Sequence, residues 1–266
     1  SIIEQVKQAA SLVGGEAIIE DGLLNEVVNL IEMPTAVMGG FNEEFLTLPR
    51  DVLISVMKKH QRYFPIQTKS KVEGQKSGEG ATFNLQPSTL LPHFIAIRNG
   101  DDIHIDTVRE GNEHVLGARF ADANFFVRED IKFPLEHYRD GLKTLTFQTK
   151  LGSYFDKSER MLKLSAAIAE MLALSEAETL TAHRATFLAK ADLTTQMVTE
   201  MTSLQGIIGR EYALRSGEAV EVATALGEQY QPVPQSKLGV VVALADRIDS
   251  LVGLFAAGLA PTGAKD

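Results

Sequence analysis

The sequence predicts an α+β protein in which a mixed α/β domain at residues 1–150 precedes an all-helical domain at residues 151–266. Segments rich in β-branched and aromatic residues, which favour strands, fall within the first part at residues 62–67 and 91–100. After residue 150 the apolar residues recur every three or four positions, a spacing typical of helices packed on one side. The length of 266 residues is enough for two ordinary domains, each with its own core.

The N-terminal domain is predicted to begin with three helices, at residues 2–13, 23–32 and 48–61. Pro49 stands in the first turn of the third helix, where the missing N–H of proline costs nothing. Before that helix, Pro34 and the adjacent Gly39 and Gly40 predict breaks in the chain.

The two predicted strands enclose residues 69–88, which are rich in Gly, Ser and Lys and predict an exposed excursion. Thr107 and Glu110 have the spacing of a capping box, which predicts that a helix begins there. A short third strand is predicted at residues 124–130, where aromatic residues cluster.

Capping boxes are also predicted in the C-terminal domain, where Asp156 precedes Glu159 and Ser175 precedes Glu178 at the required spacing. Most of residues 184–213 is predicted to be helical, because its apolar residues follow three- and four-residue spacing. The C-terminal part is therefore expected to be helical, with interruptions near Gly206, Gly217 and residues 232–234.

Two of these helices place carboxylates beside apolar residues. Asp192 follows Leu188 by four positions, and Asp246 lies three positions before Asp249 in the apolar segment 240–255. An ionised carboxylate in apolar surroundings needs a cation, a metal or several hydrogen-bond donors, or else takes up a proton.

Composition and charge limit the possible functions. The formal net charge of −9 means that any contact with nucleic acid must use a local basic patch on an acidic body. The absence of cysteine excludes disulfides, thiolate zinc sites and a cysteine nucleophile, which fits a cytoplasmic protein. We see no secretory signal and no apolar run long enough to span a membrane, so no membrane partner is expected.

One local basic patch is evident at the end of the third predicted helix. Lys58, Lys59, His60 and Arg62 are concentrated there beside Tyr63. Cations interleaved with aromatic rings suit phosphate contact and base stacking in RNA. The alternative is a solvated helix end, where basic residues offset the negative end of the helix dipole.

A dense polar set lies further along, at residues 111–126, and includes Asn112, Glu113, His114 and Arg119. It resembles a binding site or a buried polar network equally well.

Several motifs carry a resemblance to a known family. They are MKKHQRYFPI, GNEHVLGARFADANFFVRED, LAKADLTTQMV, TSLQGIIGREYA, VALADRIDSLVG and PTGAKD. In this order they resemble the β subunit of bacterial-type glycyl-tRNA synthetase, over nearly the whole chain. The resemblance implies a B3/B4-like α+β domain at residues 1–150 and an HD-like all-α domain at residues 151–266.

The resemblance also implies a function. It predicts a fragment of a complex, expected to be an α2β2 assembly, that joins glycine to tRNA(Gly) with ATP and magnesium. The adenylation residues are expected in the α part, so this chain is predicted to hold tRNA, to bind no cofactor and to be inactive alone. No editing residues of the B3/B4 module are matched, and glycine is small enough for size exclusion to reject other amino acids.

The chain departs from the metal-binding HD pattern at one position. Ala191 stands where the histidine of the His-Asp dyad is expected, so Asp192 and Asp246 remain as degenerate HD positions. His183 lies nine residues before Asp192 and would point away from it on a continuous helix. We therefore predict no metal and no catalytic residue, and expect each Asp to pair with a cation such as Lys190 or to cap a helix.

The predicted phosphate and base contacts with tRNA are Lys58, Lys59, His60, Arg62, Tyr63, Arg119, Lys157, Arg160 and Lys190. Two alternatives stay open. The helical part could be a metal-dependent phosphohydrolase, or the chain could be purely architectural and join the α part to an anticodon-binding module.

Overall fold

The structure, a computed structural model, describes residues 1–69 and 90–259. It confirms the α+β fold class, with a four-stranded antiparallel sheet early in the chain and helices dominating the later part. Contacts divide the chain into two compact units, Ser1–Phe125 and Phe126–Asp266. This division lies earlier along the chain than the boundary predicted at residue 150, and inside a continuous helix.

The first unit is built on an antiparallel sheet with strand order β1-β3-β4-β2. Its elements are α1 (Ile2–Leu12), β1 (Gly15–Ala17), α2 (Asp21–Leu30), β2 (Pro34–Gly40), a 3-10 helix (Glu43–Thr47), α3 (Arg50–Ser55), a π-helical turn (Val56–His60), β3 (Phe64–Thr68) and β4 (Leu90–Asn99). The three predicted helices and two predicted strands are confirmed. A core cluster joins α1 and α2 to the sheet through residues such as Val6, Val27, Phe64 and Ile95.

The prediction of breaks at residues 34–40 was wrong, because this segment is strand β2, paired in register with β4 from Pro34–Asn99 to Gly40–His93. Pro34 is tolerated because it opens an edge strand. Gly39 is needed because a Cβ there would lie 2.5 Å from the ring of Phe94. The glycine thus reflects close packing against a neighbouring strand.

The predicted capping box at Thr107 and the predicted strand at residues 124–130 were both wrong. One helix, α4, runs from Ile105 to Asp130. Its buried positions Leu116, Phe120, Ala123 and Val127 follow a three- and four-residue spacing, so they form a helical face. The excursion predicted at residues 69–88 lies, beyond Lys69, outside the described residues.

The second unit is helical, as predicted, apart from a small two-stranded sheet. After α4 come a 3-10 helix (Leu135–Lys143), β5 (Thr146–Gln148), β6 (Gly152–Ser153), α5 (Tyr154–Met171), α6 (Glu176–Leu188), a 3-10 turn (Ala191–Thr194), α7 (Gln196–Glu200), a second 3-10 turn (Thr202–Leu204), α8 (Ile207–Arg215), α9 (Val220–Glu228) and α10 (Lys237–Ala256). Among the described helices none combines the length and apolarity needed to cross a bilayer.

The predicted box at Ser175 and Glu178 is confirmed at the start of α6. The one predicted at Asp156 and Glu159 was wrong, because Asp156 is the third helical residue and pairs with the N-cap Ser153. The box exists, but it begins three positions earlier than predicted.

Residues 184–213 are mostly helical, as predicted, but the helix expected to continue from Phe187 to Val198 is broken after Leu188. Helix α6 ends at Leu188, and the chain turns through Lys190, whose φ of 70° is left-handed. Thr195 then caps α7 by accepting a hydrogen bond from the Val198 N–H. These turns bring Lys190 and Asp192 inward together, which a straight helix would not do.

Helix α10 exposes a stripe of large apolar residues, which we call the α10 stripe: Leu244, Ile248, Leu251, Val252 and Phe255. Their spacing places them along one side of the helix, whereas Val241, Val242 and Ala245 are buried.

Candidate nucleic-acid interface

The basic patch lies where helix α3 widens into the π-helical turn. The Lys58 ammonium pairs with Glu20, and the Lys58 side chain is only 12% exposed. The Arg62 guanidinium lies 2.5 Å from Glu26, with 51% of its side chain exposed. Lys59 is exposed. Exposed ion pairs of this kind contribute about 0–1 kcal/mol, so Arg62 can exchange its carboxylate for a phosphate at little cost.

Tyr63 is placed differently from its predicted role in base stacking. Its ring stacks on that of Phe94 with centroids 4.7 Å apart, and 8% of the residue is exposed. Burial raises the pKa of its hydroxyl. The ring face needed for a nucleobase is therefore engaged in the core. The side chain of His60 lies outside the described part of the structure.

Some polar residues of helix α4 are exposed at the surface, and others form hydrogen bonds with strand β2. Arg119 is exposed. Glu113 accepts a hydrogen bond from the Gly40 N–H at 2.8 Å, and Arg109 donates to the Met38 carbonyl at 3.0 Å. These two contacts tie α4 to the edge strand β2, so this part of the polar set is a structural network.

The second unit contains an interior ion cluster formed by Lys157, Arg160, Lys190, Asp246 and Asp249. Lys157 Nζ lies 2.9 Å from Asp246 Oδ1 and 3.1 Å from Asp249 Oδ2, and it donates to Ser250 Oγ at 2.7 Å. Lys190 Nζ lies 2.6 Å from Asp246 Oδ2. Asp246 therefore bridges two ammonium groups.

Arg160 closes the cluster on its exposed side. Its Nε donates to Asp249 Oδ1 at 2.6 Å and its Nη2 donates to Asp249 Oδ2 at 3.1 Å, a bidentate arrangement. Lys157 and Lys190 are buried, so an RNA phosphate could reach them only after these pairs open. Lys157, Arg160 and Lys190, which were predicted to contact tRNA phosphates, are therefore paired with carboxylates of the protein itself.

The electrostatics of the cluster follow from burial and pairing. Burial alone would raise the pKa of Asp246, but the ammonium groups of Lys190 and Lys157 outweigh it and hold the pKa below its ordinary value. Burial lowers the pKa of Lys190, against the opposing effect of Asp246. The Lys190 ammonium also lies 4.0 Å from the ring centre of Tyr230, a cation–π contact.

Asp192 has a different environment from Asp246. Its carboxylate accepts a hydrogen bond from the Gly206 N–H at 2.5 Å and so lies at the N-terminus of helix α8. Burial raises its pKa, while the Gly206 N–H opposes that shift. A Cβ on Gly209 would lie 3.1 Å from Asp192 Oδ2, so this glycine gives the carboxylate room. Both predicted alternatives for the acids occur: Asp246 pairs with Lys190, and Asp192 caps a helix.

The remnants of the HD pattern do not converge. Ala191 is buried, and His183 is exposed on α6. Within residues 1–69 and 90–259, no group of three or more His, Cys, Asp or Glu side chains is arranged to hold a metal ion. The oxygens of Asp246 and Asp249 surround the Lys157 ammonium, which already supplies the positive charge that they require.

Comparison with known proteins decides the family. The family described as glycyl-tRNA synthetase beta subunit matches residues 1–266, the full sequence. The chain belongs to the glycyl-tRNA synthetase beta subunit family. It is 45% identical to the glycine–tRNA ligase beta subunit of Clostridioides difficile, 43% to that of Gloeothece citriformis and 45% to that of Desulforudis audaxviator.

These matches cover 99–100% of the chain but only 36–37% of each relative. The chain therefore spans little more than a third of the length of the beta subunits that it matches.

One buried carboxylate of this beta-subunit chain was missed by sequence reasoning. Asp130, 1% exposed, accepts hydrogen bonds from the N–H groups of Gln196 and Met197 at 2.9 and 3.0 Å, and from the Tyr212 hydroxyl at 3.0 Å. Burial is the main reason that the pKa of Tyr212 is raised. Asp130 lies three residues after Val127 on the buried face of α4, and this helical spacing could have predicted its burial. The strand predicted at residues 124–130 hid that spacing.

Proposed function

We propose that this chain is part of a glycine–tRNA ligase, in which it binds and positions tRNA. The observation that carries the proposal is the family match over residues 1–266. ATP-dependent adenylation of glycine with Mg²⁺ belongs in this proposal to an α part, with which the full-length subunit forms an α2β2 assembly in the cytoplasm. This chain supplies contacts with tRNA and no cofactor ligands.

The contact surface in the first unit supports this role. In the basic patch Lys59 and Arg62 are exposed, and Arg62 is held by a surface ion pair with Glu26; Arg119 is exposed on α4. Because the chain carries a net charge of −9, RNA docks at this local patch and is repelled from most of the remaining surface. This arrangement favours selective docking over general affinity for nucleic acid.

One observation favours a second candidate, a purely architectural role for the second unit. Lys157, Arg160 and Lys190 satisfy carboxylates of α10, so they hold α5 and the turn after α6 against α10. If this candidate is correct, the second unit supports the structure of the rest of the subunit. Only the first unit then contacts RNA.

The proposal is tested by charge reversal in the full-length protein. Lys59→Glu combined with Arg62→Glu should weaken tRNA binding and lower the slope of log affinity against log salt by about one to two. Lys163→Glu, on the exposed side of α5, makes a control with one reversed charge away from the patch.

Binding and salt slope equal to those of the unmodified protein would remove the patch from the proposal. Metal analysis of the same preparation, with a phosphodiesterase assay, separates the phosphohydrolase alternative, which requires stoichiometric metal and turnover.

A further inference from the structure

A pocket of about 390 Å³ lies in the second unit, away from the interior ion cluster. Among its lining residues are Lys132, Phe133, Tyr212, Arg215 and Ser216. None of them belongs to the predicted contacts with tRNA. Pockets that hold small ligands have volumes of about 300–1,000 Å³, so this one is large enough for a single nucleotide.

The aromatic wall of this pocket is exposed and supported from behind. Phe133 is 51% exposed, and its ring stacks on that of His137 with centroids 4.3 Å apart and planes 16° apart. His137 meets Tyr138 edge-on at 5.5 Å, and the Tyr138 hydroxyl donates to the Asp130 carbonyl at 2.8 Å. A ring fixed on one side and open to solvent is a platform for a flat ligand.

Tyr212 and Ser216, which also line the pocket, are held by hydrogen bonds. The Tyr212 hydroxyl donates to Asp130 at 3.0 Å, and Ser216 Oγ donates to the Tyr212 carbonyl at 2.6 Å. Ser216 Oγ also accepts from the Leu135 N–H at 2.9 Å. These bonds fix the pocket before any ligand enters, which lowers the entropic cost of binding.

Two cations, Lys132 and Arg215, are among the lining residues. Lys132 Nζ lies 2.6 Å from Glu129, and Arg215 Nε lies 2.8 Å from Glu211, in pairs of close neighbours along the chain. Such exposed pairs contribute little, so both cations are available to a phosphate group. An aromatic platform with cations beside it matches the two parts of a nucleotide, the base and the phosphate.

We propose that this pocket binds one unstacked nucleotide, with its base on Phe133 and its phosphate between Lys132 and Arg215. The inference rests on the proposed function, because an RNA held by the chain is the nearest source of such a nucleotide. A free mononucleotide has the same chemistry and is the second possible source.

The first test measures tRNA binding by the full-length protein carrying Phe133→Ala. Loss of one stacking contact should weaken binding roughly 5- to 100-fold. Phe133→Trp, which keeps a stacking surface, should retain binding, and Met171→Ala, an exposed apolar change on α5, should have no effect. Ultraviolet crosslinking with tRNA containing 5-iodouridine or 5-iodocytidine should then place the adduct at Phe133.

Binding of AMP, GMP, CMP and UMP to the same variants distinguishes the source. Saturation by a mononucleotide that Phe133→Ala abolishes would support the pocket and assign it to free nucleotides. Phe133→Ala that binds tRNA and mononucleotides as the unmodified protein does would overturn the pocket. Loss of association with another protein subunit, with tRNA binding unchanged, would also overturn it and mark a protein contact.

The two proposals fail separately. If reversal of Lys59 and Arg62 weakens tRNA binding while Phe133→Ala changes the binding of neither tRNA nor mononucleotides, the pocket is excluded and the proposed function stands. If the unmodified protein binds no tRNA but a mononucleotide binds through Phe133, the proposed function is excluded and the pocket stands.

Discussion

Lys190 Nζ lies 2.6 Å from Asp246 Oδ2, with the ammonium buried and the carboxylate largely so. Lys190 adopts a left-handed backbone conformation to reach this position, although it is not a glycine. Such conformations are held in place only where the surrounding contacts determine them. The pair therefore fixes the turn between α6 and α7.

Removal of the Lys190 charge should destabilise the protein strongly. Lys190→Met keeps most of the side-chain volume but leaves the Asp246 carboxylate with one ammonium partner, and breaking a buried pair costs about 3–5 kcal/mol. The matched control is Lys237→Met, which breaks an exposed pair with Glu178 and should cost at most about 1 kcal/mol. Urea denaturation measures both. Equal, small losses would show that the Lys190 pair adds nothing to stability.

The two buried acids should respond to pH in opposite directions. The pKa of Asp246 is lowered in the folded state, so its contribution is present above the ordinary pKa of Asp and is lost as pH falls through the folded value. The pKa of Asp192 is raised, so the folded protein prefers its protonated form, and stability is lost as pH rises through that folded value.

Asp192→Asn should therefore preserve or increase stability at neutral pH, because the amide oxygen still accepts from the Gly206 N–H and no buried charge remains. It should also remove the loss of stability with rising pH. Asp192→Ala should cost about 1–3 kcal/mol, because it leaves that N–H without its acceptor. Denaturant titrations over pH 4 to 8 test both, and an Asn variant as unstable as the Ala variant would contradict the account.

Gly206 should tolerate alanine less well than Gly217 does, although both have left-handed φ values, 79° and 81°. At Gly217 a Cβ meets nothing within 4 Å, so Gly217→Ala costs only backbone strain, about 1–2 kcal/mol. At Gly206 a Cβ would lie 2.8 Å from the Tyr230 ring, which adds a clash to the same strain. Thermal unfolding of the two variants isolates the packing contribution. A Gly206→Ala variant as stable as Gly217→Ala would show that the Tyr230 ring moves aside freely.

The α10 stripe should make this 266-residue chain self-associate. Contiguous apolar surface of this kind drives association in water. Leu251→Glu with Phe255→Glu should reduce the association seen by sedimentation, whereas Leu12→Glu, at an exposed apolar position on α1, should not. Unchanged association in the double variant would place the contact elsewhere.

Local patterns predicted the elements whose signals are contained within one turn or one strand. The helix at residues 2–13, the strand at residues 91–100 and the Ser175 cap all follow from neighbouring residues. They failed at residues 34–40, where Gly39 leaves room for the ring of Phe94 on the neighbouring strand. They failed again after Leu188, where buried charge decides the path of the chain.

The candidate site was predictable only in part for the same reason. Lysine is rarely buried, so sequence alone favoured solvent exposure for Lys157, whereas Lys190 was predicted both as a phosphate contact and as a partner of a buried Asp. Their partner Asp246 lies on α10, far along the chain, and the spacing of neighbouring residues cannot predict a contact between such distant positions. The acids Asp192 and Asp246 were found because an apolar helix with a carboxylate is itself unusual.

Asp246 balances two ammonium groups at once, so the residues of the interior ion cluster are not independent in evolution. Replacing Asp246 alone would leave the buried Lys190 ammonium without its carboxylate and Lys157 with Asp249 alone, at a cost of several kcal/mol against a total stability of about 5–15 kcal/mol. A lineage that changes one of them must pass through a poorly folding intermediate unless a second change comes first. Divergence at these three positions should accordingly occur as coordinated replacement, with acid and base lost together.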